Sequence, residues 1–368
     1  PIVLEVLPLI NDPHFVTELA RFNMEINLDP MRFAGSCFSD LENRLNTYLR
    51  RAEEVAHSMD AHVFLTGILP TIRRSDVALH NLTPLKRYEY LLDYLAEMRE
   101  GVFEFRIDGT DPLITKDTNA MFEGCNTSFQ IHYQVEPQDF RAAYNWAQAI
   151  TGPVLSCATN SPFLVGRRLW RETRIALFEQ AVDMRNDTQL SRGKMPRVAF
   201  GDDWIHESVL DLHKENIARY RIMLAPTEPE DSAAVWASGK TPQLEALNIH
   251  NGTIWRWNRP CYGVAGGKPH LRIENRVIPA GPTVKDEVAN ATFWLGLMKG
   301  MPDHYARIHE LQDFDCARDN FFYAAKQGLG AHFNWPGLSK RIVAEDLVLH
   351  ELLPIAREGL NKAGVKTA

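Results

Sequence analysis

The sequence has few cysteines, no surplus of positive charge and no long apolar run, and each shortage closes off a class of protein. Its five cysteines stand at positions 37, 125, 157, 261 and 316, an odd number with no Cys-x-x-Cys spacing. That argues against a disulfide framework and against a structural zinc site. A formal net charge of −7 and a pI near 6.0 leave no global basic footprint, so nucleic acid is not an expected partner. No stretch approaches the roughly 18 uninterrupted apolar residues of a membrane helix, and the first residues lack a basic region followed by an apolar one. The expectation is a cytoplasmic protein with no membrane partner. Internal repeats and low-complexity tracts are absent, as are a Gly-x-x-x-x-Gly-Lys loop and a kinase-type Gly-rich loop. "GVAGGKPH" at 263–270 is read as a glycine-containing hairpin turn, with Lys268 facing solvent rather than phosphate.

What is present suits one large or two ordinary globular domains. The 368 residues are 45% hydrophobic and 24% charged. Helices announce their own starts. Ser39-x-x-Glu42 opens "SDLENRLNTYLRRAEEVAHSM", whose Leu41, Leu45, Leu49, Ala52 and Ala56 keep helical period. Thr83 and Pro84 open a second helix that exits at Gly101. A third begins at Pro137 and is expected to end at "TGP", 151–153. Residues 203–224, 283–299, 315–327 and 339–362 also read as helical, with a kink at Pro354. The Pro-, Ser- and acid-rich segment 225–252 reads as a surface loop or lid. Residues 152–158 and 196–200 are weaker strand candidates.

Four segments alternate as strands do: 21–29, 101–109, 127–135 and 269–277. In "PHLRIENRV", His270, Arg272, Glu274 and Arg276 share one face, and Leu271, Ile273 and Val277 the other, with Asn275 a polar exception. Asn23, Glu25 and Asn27 share a face of the first strand. Glu104, Arg106 and Asp108 do so in the second, and Ser128, Gln130, His132 and Gln134 in the third. Lysine, a common filler of solvated faces, is absent from all four. A concave sheet with its apolar face under helices and its polar face forming the floor of a site would look like this. Carboxylates, amide oxygens and a histidine suit Mg²⁺ or Mn²⁺, and arginines beside them match phosphate oxygens. Together they suit phosphoryl transfer, in which positioning and charge neutralisation do most of the work.

These segments carry a family resemblance. "RFNMEINLDP", "FLTGILPT", "CNTSFQIHYQV", "ATNSPFLVGRRLWRETR" and "WNRPCYG" followed by "HLRIENRV" occur in the order found in the carboxylate–amine ligase branch of the glutamate–cysteine ligase superfamily. The chain resembles that branch over roughly residues 20–300, and "FFYAAKQGLGA" in the tail fits too. The resemblance implies an α+β fold, with a curved, mainly antiparallel sheet and helices on its convex face, similar to glutamine synthetase. It would form one domain over 1–368 with a helical part at 301–368. It implies an ATP-dependent ligase that makes an amide through an acyl phosphate, with glutamate's side chain as the expected carboxylate. Glu25, His132 and Glu274 would hold Mg²⁺ or Mn²⁺, with Gln130 close by. Arg276, Arg259 and Arg174 would face the phosphates, Arg272 would contribute to nucleotide binding, and Asn27, Thr127 and Asn160 would lie on the substrate side. Expected partners are small amino-acid substrates, and a homo-oligomer is compatible with them. The family's Glu-x-Glu strand is missing ahead of Glu25, and Glu5 stands alone, so residues 1–368 are expected to be a portion of a longer protein. Two rival readings stay open: a metal-dependent hydrolase built on His132, Glu274 and His270, and a non-catalytic remnant that binds nucleotide or amino acid.

Overall fold

The computed structural model describes residues 2–99, 102–224 and 228–366. Its longer helices are α1 (Val3–Ile10), α2 (Cys37–His57), α3 (Lys86–Arg99), α4 (Phe140–Ala158), α5 (Thr173–Ala181), α6 (Val209–Arg219), α7 (Glu245–Gly252), α8 (Val284–Gly300), α9 (Phe314–Gln327) and α10 (Leu353–Lys362). Helix α2 buries Leu41, Leu45, Ala52 and Ala56, as its periodicity requires. It starts earlier than Ser39, after Ser36, whose hydroxyl donates to Asp40 Oδ2 at 2.9 Å. Thr83 does not cap α3. It is buried, and its hydroxyl donates to the Glu18 carbonyl at 2.6 Å. Gly101, the expected exit, lies outside the described residues.

Helix α4 corrects two expectations at once. It does not stop at 151–153 but continues through Pro153 to Ala158, so the weak strand at 152–158 is helix. Packing explains the glycine there: a Cβ on Gly152 would come within 2.8 Å of the Asn320 backbone in α9. A residue that reads as a helix stop is thus a close-contact point between two helices. The helix expected over 203–224 contracts to α6, capped by Ser208 and Asp211. The segment 339–362 becomes helical at Ala344 and passes through a π turn, Val348–Leu352, just before Pro354. A widened turn accommodates a proline ring that lacks an N–H. Within 228–252 lie a short helix, Ser232–Ala237, and α7; residues 225–227 lie outside the described residues.

The strands of three residues or more are β1 (Phe15–Thr17), β2 (Met24–Ile26), β3 (Phe103–Ile107), β4 (Leu113–Asp117), β5 (Ile131–Val135), β6 (Asn258–Ala265) and β7 (Lys268–Asn275). The architecture is α+β, with small, mainly antiparallel sheets among helices. The four alternating segments do not join in one sheet. Strands β6, β7 and β5 form a three-stranded antiparallel sheet in that order, whereas β1 pairs with β2 and β3 with β4. Val198–Ala199, from the weak candidate at 196–200, pairs in parallel with Trp255–Arg256. The polar face of β3 is therefore a solvated hairpin face, with Glu104 and Lys116 paired at 3.2 Å and Phe103, Phe105 and Ile107 buried. Alternation is identical for a floor strand and for a hairpin lying on a core, so period alone does not separate them.

The back of the three-stranded sheet faces the main core. Ile273 and Ile131 are buried there, and Tyr133 meets Trp294 of α8 edge-on at 6.3 Å. The polar exception, Asn275, also has its explanation on this side. It lies opposite Asn258, donates to its Oδ1 at 3.4 Å, and Asn258 in turn donates to Gln148 and Thr151 of α4 at 2.7 and 2.8 Å. Tyr144 of α4 donates to the Asn258 carbonyl at 2.9 Å. This buried polar network fixes α4 against the sheet and so fixes the height of the opposite, polar face.

Candidate functional site

Register places three side chains in a single rung across the polar face. Arg259 of β6 lies opposite Glu274 of β7, and Glu274 opposite His132 of β5. One step along, Cys261 lies opposite Arg272, and Arg272 opposite Gln134. Because side chains alternate, Arg259, Cys261, Arg272, Glu274, Gln130 and His132 share this face.

Glu274 is the centre of the rung and only 1% exposed. Its Oε2 accepts from Arg259 Nε at 2.6 Å and lies 3.4 Å from Cys261 Sγ. Its Oε1 accepts from Arg276 Nη1 at 2.7 Å and lies 3.9 Å from His132 Nε2. Burial alone would raise its pKa, but Arg276, Arg259 and His132 together push it down to about 2. Gln130 accepts from Arg276 at 3.3 Å, so the amide expected near the metal steadies an arginine. Burial holds the His132 imidazole below its usual range, and Arg272, Arg259 and Arg276 add to that against the pull of Glu274. His270 stands apart from this group, with its Nε2 2.5 Å from Arg272 Nη1. The hydrolase trio of His132, Glu274 and His270 therefore does not assemble.

Arg174 lies beneath the floor. It is 3% exposed, donates to Glu172 at 3.1 Å, and bonds the carbonyls of Arg276 and Val277. Glu172 is fully buried and also accepts from the Asn160 N–H at 2.8 Å and the Ser161 hydroxyl at 2.7 Å. Thr127 and Asn160 belong to the same framework. The Thr127 hydroxyl bonds the Thr66 carbonyl, and the Asn160 amide donates to the Ala280 carbonyl at 2.8 Å. Gly67 sits between them, where a Cβ would meet Pro279 at 2.9 Å and the Asn160 carbonyl at 3.1 Å. Glu25 lies on β2, opposite Val16, with Asn27 exposed beyond the end of the strand.

A second cluster of carboxyls escaped sequence reasoning. Glu18, just after β1, lies beside Glu25 and Glu123. Burial first, then a hydrogen bond with Glu25 and the charge of Glu123, push its carboxyl up to about 9. Burial likewise pushes Glu123 up to about 7, with Arg276 pulling the other way. Arg276 thus acts on both clusters. Glu18 and Glu123 lie outside the alternating stretches, so no period marked them. Cys261 did carry a signal, since it falls two residues after Arg259 on the same strand.

Over residues 3–364 the chain matches the family described as glutamate-cysteine ligase family 2 (GCS2). The chain belongs to that family. No curated protein matches it. Family 2 membership makes the protein a glutamate–cysteine ligase-like, ATP-dependent ligase in the broad sense, and two features of this family 2 chain fit what such an enzyme needs. The oxygens of Glu18, Glu25 and Glu123 are a hard donor set, and burial together with its two neighbours raises the Glu18 carboxyl, which suits a divalent cation of the Mg²⁺ class. Arg259, Arg272 and Arg276 gather on the sheet face beside them, which suits phosphate oxygens. Among the described residues no helix is long and apolar enough to cross a membrane.

Proposed function

We propose that the protein ligates a carboxylate, that of the glutamate side chain, to the amine of a second small amino-acid substrate, using ATP. The observation that carries this reading is the rung Arg259–Glu274–His132, with Arg276 bound to the same carboxylate. Glu18, Glu25 and Glu123, with His132 and Glu274, would hold Mg²⁺ or Mn²⁺, which supplies charge neutralisation and alignment for the phosphates. The substrate carboxylate oxygen attacks the terminal phosphorus of ATP, the bond to ADP breaks, and an acyl phosphate forms. The amine nitrogen then attacks the acyl carbon, phosphate leaves with the bonding pair, and the amine gives up a proton as the amide forms.

The residues of the chain bind and orient. Arg259, Arg272 and Arg276 contact phosphate oxygens, and Gln130 holds Arg276 in line. Arg174 acts one layer back: its bonds to the Arg276 and Val277 carbonyls set where the Arg276 side chain leaves the backbone. Thr127 and Asn160 hold the framework of the substrate side, and Asn27 presents an exposed amide next to Glu25. In this reading the small sheets are parts of a curved, glutamine synthetase-like floor. The test is a screen of amino-acid pairs for ADP release with Mg²⁺ or Mn²⁺. Release that needs both amino acids and the metal supports the reading; ATP turnover that ignores the amino acids, or none with any pair, refutes it.

A further inference from the structure

Cys261 is the one thiol on the polar face, and it stands close to two groups of the rung. The Cys261 Sγ, a Glu274 carboxylate oxygen and a His132 ring nitrogen all lie within 4.8 Å of one another. Glu274 lies 3.4 Å from Cys261 Sγ and 3.9 Å from His132 Nε2. Bond lengths of about 2.3 Å to sulfur and 2.0–2.2 Å to nitrogen and oxygen, at a tetrahedral angle, put such ligand atoms about 3.6 Å and 3.4 Å apart. The two measured distances, one to each oxygen of the carboxylate, thus stand within about half an ångström of tetrahedral edges before any ion arrives, and the sulfur–nitrogen edge lies within 4.8 Å. Cys261 and Glu274 are buried, while His132 is 42% exposed, so the fourth corner opens to solvent. The surrounding charge sets a requirement for a second anion. Glu274 already faces Arg259 and Arg276, which leaves little negative potential for a dication unless a second anion joins, and a thiolate is that anion.

We propose that His132, Cys261 and Glu274 form a three-ligand site for a thiophilic divalent cation of the Zn²⁺ or Co²⁺ class. The proposal rests on the ligase reading only in sharing His132 and Glu274 with it. Binding forms the metal–sulfur bond, and the thiol proton leaves to solvent. Soft sulfur selects against Mg²⁺, which prefers the oxygen donors of Glu18, Glu25, Glu123 and Glu274. A cation bound at the rung draws Glu274 away from its arginines, so the two kinds of ion compete for one carboxylate.

The test is titration of the full chain with Co²⁺ alone, following the near-ultraviolet sulfur-to-cobalt charge-transfer band. The band should saturate at one ion per chain, vanish in Cys261→Ser, and persist in Cys157→Ser, whose thiol lies off this face. His132→Asn alters an exposed side chain and keeps the thiol, and it should weaken Co²⁺ binding by roughly tenfold or more. No band in the wild type, a band that survives in Cys261→Ser, or unchanged affinity in His132→Asn would overturn the site. The thermal shift with Mg·ATP is read in parallel. A cobalt band without that shift leaves this site standing and counts against the ligase reading. The shift without the band does the reverse.

Discussion

Replacing Glu274 by Gln keeps the shape of the side chain and removes the charge that two arginines hold. The carboxylate is 1% exposed, and its partners Arg259 and Arg276 are each 16% exposed, so water does little to screen the pair. Its pKa falls from 4.5 to about 2 in the folded state, and at 1.36 kcal/mol per unit that is about 3 kcal/mol of stability at neutral pH. Removing one partner of a buried ion pair costs about 3–5 kcal/mol, because the remaining charge is left uncompensated, so the two figures agree. At roughly 2.1 cal/mol/K of unfolding entropy per residue, a cooperative unit of this length should lose about 4 °C in Tm. A carboxyl whose folded pKa is depressed stabilises above its unfolded pKa and loses that effect as pH falls through the folded one. The gap between wild type and Glu274→Gln should therefore be constant at neutral pH and narrow below about 4.5. Differential scanning fluorimetry across pH measures both features, and the same variant should bind Mg·ATP roughly tenfold more weakly, as expected of a metal ligand. A gap below about 1 kcal/mol at pH 7 is what a solvated surface pair would give, and it would refute the buried-rung account.

Mg·ATP should raise the Tm of the wild type by about 3–4 °C at a hundredfold excess over Kd, following RT ln(1 + [L]/Kd), and ATP without metal should do much less. No shift at millimolar concentrations would contradict the nucleotide floor. Glu18→Gln should stabilise the metal-free protein by on the order of 1 kcal/mol or more at pH 7–8. The folded carboxyl, at about 9, holds a proton that the unfolded chain has lost, so wild-type stability falls as pH rises from about 4.5 to 9. The same variant should blunt stabilisation by Mn²⁺; a destabilised variant with normal Mn²⁺ response would count against the carboxyl cluster. Gly67→Ala should cost about 1–3 kcal/mol, since its Cβ meets Pro279 and the Asn160 carbonyl, and a urea midpoint equal to wild type would show that the framework yields there.

Glu274 and His132 of the rung were legible because a period of two sorts a strand by face, broken only at Asn275 in "HLRIENRV" and "QIHYQV", whereas Arg259 was marked by the family resemblance alone. The turn between β6 and β7 was legible for a similar local reason. Gly266 and Gly267 take positive φ values of 56° and 76°, which only glycine adopts cheaply. What the sequence hid was decided by tertiary contact. Gly152 and Pro153 look like a helix end, yet α4 runs through them because α9 packs against Gly152. Arg174 was expected at the phosphates, but its donors meet Glu172 and the carbonyls of Arg276 and Val277 just beyond β7, and nothing in "RETR" reveals which way the chain turns. Glu104, Arg106 and Asp108 had the right alternation and the wrong neighbours. Glu18 and Glu123 had the right neighbours and no alternation.

Both clusters are electrostatically incomplete in the bare chain, and in opposite senses. At Glu18, Glu25 and Glu123, burial first and then neighbouring carboxyls push the Glu18 carboxyl up to about 9. Around Glu274, the arginines Arg259, Arg272 and Arg276 outnumber the single carboxylate, which stays ionised to about pH 2. Arg276 stands between the clusters, bound to Glu274 and acting on Glu123. A divalent cation relieves the first cluster and a triphosphate the second, and the complex of the two relieves both at once. Each half alone restores only one side and leaves Arg276 divided between its carboxylates. Affinity for metal and nucleotide should therefore be coupled, and by linkage each should strengthen the other by the same factor. Arg276→Lys keeps the charge but loses the guanidinium that bonds Glu274 and Gln130 while its charge acts on Glu123, so it should weaken that coupling more than either affinity alone. Mn²⁺ titrations with and without ATP, on wild type and on this variant, measure the factor directly. Equal coupling in the two proteins would show that the clusters act independently and that Arg276 serves only the rung.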